Sequence, residues 1–66
     1  MSGGGGGVII IRTAIKTALS DPLVHGGLPD YIQKSVDPVL AKDVNDWDHA
    51  EHRAAAHAFD WAAMNC

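Results

Sequence analysis

Three features of the sequence predict an all-α fold. Polar and apolar side chains recur at helical spacing over residues 8–20, no glycine or proline occurs after Pro38, and six alanines fall between residues 54 and 63. Alanine is the strongest helix former, and a stretch without breakers permits helix throughout. The expected architecture is one small helical unit over residues 8–66 behind a flexible glycine-rich arm over residues 1–7. The unit comprises a short amphipathic helix, a connector punctuated by proline and glycine, and a long C-terminal helix.

The arm, MSGGGGG, is polyglycine, which has the most backbone entropy to lose on ordering. It is read either as an arm held by a neighbouring surface or as a solubilising tail. Residues 8–20, VIIIRTAIKTALS, form the amphipathic helix. Arg12, Thr13, Lys16, Thr17 and Ser20 make the polar side, expected in solvent, while Ile11, Ala14, Ile15, Ala18 and Leu19 lie opposite. The β-branched run Val8–Ile11 leaves open a short strand instead of the first helical turn. Pro22 ends this helix, because the residue before proline avoids the helical region.

The connector spans residues 21–37. Asp21-Pro22 and Asp37-Pro38 each read as an N-cap followed by proline at the first helical position. Gly26-Gly27 marks a turn, and Pro29 can start a short helix through Tyr31, Ile32 and Val36. From Pro38, one helix over about 38–64 would run roughly 40 Å. Along it Leu40, Val44, Trp47, Glu51, Ala54, Ala58, Trp61 and Asn65 follow spacings of 4, 3, 4, 3, 4, 3 and 4, a heptad seam interrupted by Glu51. The competing reading breaks this helix near Asn45, with Asn45 or Asp46 as the cap.

Length limits function. The chain has 66 residues, 47% of them apolar, and ten of the apolar residues are alanines with little surface to bury. A core of this size seldom supplies more than about 3–5 kcal/mol, so a partner is expected. A single cysteine forms no internal disulfide. Net charge is −3, divided as +2 over residues 1–20 and −5 over residues 21–66. Without a basic cluster, direct nucleic-acid binding is not expected, since phosphate contacts dominate that affinity. Arg12 and Lys16 interrupt the apolar run, so no membrane span is expected, and the uncharged leader does not fit a secretory signal.

Chemistry finds little foothold. Asp48, His49 and His52 share a helical face and are the metal-ligand candidates, giving a histidine-bearing, metal-binding helix as one alternative function. Zinc usually needs three or four ligands from more than one element, and Arg53 places a cation four residues after His49. The solvated reading of that face prevails, and neither cofactor nor enzymatic activity is expected. A nucleophile needs a base within reach and a cleft that excludes water, which so short a helical chain hardly encloses.

Trp47 and Trp61, two heptads apart, would lie on one face about 21 Å from each other. Ile11, Ile15 and Leu19 of the first helix would cover only part of that face. The seam of Leu40, Val44, Trp47, Ala54, Ala58 and Trp61, with the three first-helix residues, is therefore the candidate interface. It would serve a protein partner or a second copy of the chain.

The opening MSGGGGG resembles the starts of small virion proteins of tailed bacteriophages, which carry glycine-rich arms ahead of a short structured body. The likeness covers residues 1–7 only. It implies a minor capsid, portal or tail component, cytoplasmic or virion-associated and held by its neighbours. The ending AFDWAAMNC resembles the cysteine-bearing cores of ribosomally made, modified peptides. That likeness implies the alternative of a peptide precursor with its chemistry at Cys66.

Overall fold

The computed structural model describes residues 3–65, with side chains from Gly7 onward; Met1, Ser2 and Cys66 lie outside the described residues. The fold is all-α. Helix α1 spans Gly3–Ser20, α2 Pro22–Gly26, α3 Asp30–Leu40 and α4 His49–Met64, with a 3-10 turn at Val44–Asp46 between α3 and α4.

Helix α1 begins five residues earlier than the sequence suggests, so Gly3–Gly7 are helical rather than a separate arm. Once Val8–Ser20 are helical, each further residue adds one backbone hydrogen bond without a new nucleus. At Val8–Ile11 the helical alternative prevails over the strand. Asp21 caps α2 through its side chain, which accepts from the Leu23 N–H at 3.0 Å, and Pro22 stands at the first helical position as expected. The chain turns at Gly27, and α3 starts after Pro29. Gln33 ties that turn down by donating from Nε2 to the carbonyls of His25 and Leu28 at 2.9 and 3.0 Å.

The long C-terminal helix is not continuous. Pro38 does not open it but lies in the last turns of α3. There its missing N–H costs only one bond, to the carbonyl of exposed Lys34. Residues 41–48 then break the chain's helical course twice. Asp43 caps the 3-10 turn by accepting from the Asn45 N–H at 3.0 Å. Asp48 caps α4 in a reciprocal box: its carboxylate accepts from the Glu51 N–H at 2.8 Å, and Glu51 accepts from the Asp48 N–H at 2.9 Å. The cap is thus Asp48 rather than Asn45 or Asp46. Short acidic side chains that bond the backbone two or three residues ahead compete with continued helix, and here they win twice.

The core gathers Ile15 and Leu19 of α1, Leu28, then Ile32, Val36 and Val39 on one side of α3. Val44 and Trp47 from the segment before α4, and Ala55 and Ala58 of α4, complete it. Ala55 and Ala58 are fully buried, so their small side chains let α4 approach α1 and α3 closely. Arg12 meets His52, and Ala18 lies near Phe59, so α1 and α4 run parallel. Among the described residues, no buried side-chain nitrogen or oxygen lacks a partner, and no helix is long and apolar enough to cross a membrane.

Candidate docking surface

The break before α4 dissolves the heptad seam and redistributes its residues. Trp47 is only 4% exposed and belongs to the core, its indole Nε1 donating to the Val39 carbonyl at 2.8 Å. Val44, Ala58, Ile15 and Leu19 are buried with it, and Leu40 and Ala54 pack against the same cluster. None of these residues presents a face to a partner. The heptad spacing fails because it assumes one helix, whereas Trp47 sits in extended backbone at the end of the 3-10 turn. Ile11 is 54% exposed, and Trp61 is half-buried at the edge of the core.

The polar side of α1 is likewise not simply solvated. The Arg12 Nε–H donates to His52 Nδ1 at 3.1 Å, and its Nη1 donates to the carbonyls of Val44 and Trp47 at 3.2 and 3.0 Å. One turn on, Lys16 Nζ donates to the Lys42 carbonyl at 2.7 Å. Two bases at i, i+4 thus reach carbonyls of the segment before α4: those of Lys42 and Trp47 lie outside its 3-10 turn, and that of Val44, the first residue of the turn, also accepts the Trp47 N–H at 3.4 Å. Sequence reasoning misses this role. The available signal was a basic pair with no acid within its own helix to neutralise it.

The residues considered for a metal have other work. Asp48 caps α4, His52 accepts from Arg12, and His49 is exposed. Among the described residues, no three histidine, cysteine, aspartate or glutamate side chains converge to hold a metal ion. Beside them Lys42 Nζ meets Glu51 Oε2 at 2.6 Å. The hydrogen bond to Glu51, with its negative charge, raises the Lys42 pKa above the usual lysine range. The same bond, and the Asp48 N–H, hold the Glu51 carboxyl below the usual carboxylate range.

An exposed apolar surface lies elsewhere, where α1 ends, α2 crosses and α4 finishes. A groove of about 220 Å³ is walled by Leu23, Val24, Gly27, Trp61, Ala62 and Asn65. A second recess of about 230 Å³, walled by Ala18, Val24, Phe59, Ala62 and Ala63, shares Val24 and Ala62 with it. The two recesses are therefore halves of one surface, and none of the side chains that wall it is ionisable. Leu23 stands on its rim 88% exposed, and Phe59 is 38% exposed. Of the residues that the sequence nominates for an interface, only Trp61 lines this groove. Leu23 was hidden from sequence reasoning by its place in the punctuated connector, which reads as a linker.

No protein-family model, curated protein or solved structure matches this chain.

Proposed function

We propose that this chain is a small structural subunit that docks onto a larger protein assembly, and that it does so through the α2–α4 surface. The observation that carries the proposal is Leu23. A leucine 88% exposed beside an open apolar groove gains about 1.5–3 kcal/mol when fully covered. Helix α2 has no buried residue of its own, so the fold derives little from placing an apolar side chain there. The role is structural rather than catalytic: the groove offers shape and apolar area, with no titratable side chain on its walls. The class of assembly follows the likeness of residues 1–7 to glycine-armed proteins of tailed phages, which favours a minor capsid, portal or tail component, in the cytoplasm or in the virion.

The test is incorporation. Full-length chain carrying Leu23→Glu should keep its helical circular dichroism and drop out of the native assembly, judged by the mass of the particle that contains the chain. Incorporation of the variant at the level of the unsubstituted chain would overturn the docking role of this surface.

A further inference from the structure

We propose that the Arg12–His52 bond is a pH-sensitive latch: it holds α1 to the start of α4 while the imidazole is neutral and lets go when the ring is protonated. The latch lies away from the α2–α4 groove and is independent of its docking role.

The chemistry of the two partners allows the bond in one protonation state only. Arg12 Nε–H lies 3.1 Å from His52 Nδ1, and both side chains are half-buried. A guanidinium has no acceptor and keeps its charge, so the imidazole must supply a lone pair. An imidazolium carries a proton on both nitrogens and has no lone pair to offer. Turning the ring over does not restore the bond, because either nitrogen then points a donor at a donor. Protonation also sets a second positive charge beside the guanidinium. A carboxylate at this position would keep the bond through mild acid, whereas histidine changes charge between about pH 5 and 8.

The fold confines the release to one joint. Among the described residues, no other side-chain hydrogen bond or ion pair joins α1 to α4. Arg12 also holds the carbonyls of Val44 and Trp47, and Lys16 holds that of Lys42; none of these acceptors titrates. With His52 charged, α1 therefore stays tied to the segment before α4. Helix α4 keeps only the apolar packing around Ala55 and Ala58.

The other charged groups on the elements around His52 are placed elsewhere. On α4, the Asp48 carboxylate accepts from the Glu51 N–H and Glu51 pairs with Lys42. His49, Arg53, His57 and Asp60 of the same helix are exposed. Before α4, Asp43 accepts from Asn45 and Asp46 is exposed. On α3, Asp30 and Lys34 are exposed, and Asp37 pairs with His25 of α2. That last pair responds in the opposite sense. His25 Nε2 meets Asp37 Oδ1 at 2.6 Å, and a ring with its proton on Nε2 donates there whether neutral or charged. Mild acid thus frees the α1–α4 joint and keeps the α2–α3 joint.

The experiment follows the side-chain nitrogens of Arg12 and His52 in the full chain by NMR from about pH 8 to about pH 5. The Arg12 Nε–H resonance should move toward that of a free guanidinium in step with protonation of the His52 ring, with one midpoint for both. In His52→Asn, Oδ1 takes the place of Nδ1 and does not titrate, so the resonance should stay fixed. Asparagine and histidine are comparable helix formers, so α4 should persist in that variant. At the acid end, Arg12 Nε–H should exchange with solvent about tenfold faster in the unsubstituted chain than in His52→Asn, the scale of one lost hydrogen bond to a charged group. His25→Asn should leave the Arg12 response unchanged. An Arg12 resonance indifferent to protonation of His52 overturns the proposal, as does the same acid response in His52→Asn. So does a His52 ring that stays neutral until carboxylates begin to protonate near about pH 4.3.

Discussion

Arg12 joins three separate parts of the chain with a single guanidinium. Its Nε reaches α4 at His52, and Nη1 reaches the backbone on both sides of the 3-10 turn, at Val44 and Trp47. Hydrogen bonds to a charged group contribute about 1.5–3 kcal/mol each when buried and less when half-exposed, as here. Arg12→Ala should lower stability by about 2 kcal/mol, read as a reduced urea midpoint with an unchanged slope. Arg12→Lys should recover little of it, because an ammonium lacks the planar fork that reaches three acceptors at fixed angles. The bond to His52 also fixes a tautomer. Nδ1 must offer its lone pair, so the ring proton resides on Nε2, which nitrogen-15 chemical shifts would register.

At the scale of elements, the N-terminus of α4 is the most closely specified feature. The Asp48–Glu51 box satisfies two backbone N–H groups, and Lys42 holds Glu51 from the preceding segment. Because the Glu51 pKa is lowered in the folded chain, its contribution to stability is complete above its unfolded value of about 4.3 and fades as pH falls through the lower folded value. Lys42 shifts the opposite way, so its contribution holds below about pH 10.4 and fades as pH rises through its raised value. Thermal melts between pH 2 and pH 12 should therefore show a plateau falling at both ends. Lys42→Met should lessen the decline at both. Asp48→Ala should cost about 1 kcal/mol at neutral pH by removing the cap.

This element also marks where the sequence is legible and where it is not. The all-α class, the end of α1 at Pro22 and the start of α3 after Pro29 follow from local rules that tertiary packing leaves intact. The continuous C-terminal helix does not, because glycine and proline are only one means of ending a helix. Asp48-x-x-Glu51 is a start signal in plain view, but it competes with a heptad spacing that crosses it undisturbed. Asp37-Pro38 misleads in the opposite sense. Its dipeptide matches Asp21-Pro22, yet by Pro38 the chain is already helical from Asp30. The Trp47 spacing was legible and its burial was not, since burial depends on the break.

The whole molecule is held together by contacts between segments distant in sequence. Ile15 and Leu19 share one core with Ala55 and Ala58, about 40 residues later. Neither helix keeps its cover if the other leaves, so both should open only in global unfolding. Native-state hydrogen exchange should give the amides of Ile15–Leu19 and Ala55–Ala58 one common, highest opening free energy. Amides of α2, which buries no residue, should exchange through smaller local openings. Equal protection across all three would mean that α2 is integral to the cooperative unit.

The parallel pairing of α1 with α4 has a further consequence for the chain while it is being made. Helix α1 precedes every element that covers it, and the cover supplied by α2, α3 and the 3-10 turn is not complete until Ala55 and Ala58 of α4 exist. At about 5–20 residues per second, adding those 40 residues occupies roughly 2–8 s. For that interval Ile9, Ile15 and Leu19 form an apolar stripe that lacks the α4 part of its cover, accessible to chaperones and to neighbouring nascent chains alike. Synthesis rate and local crowding at the ribosome would then bear, beside the equilibrium stability of the finished fold, on how much of this protein is recovered in soluble form.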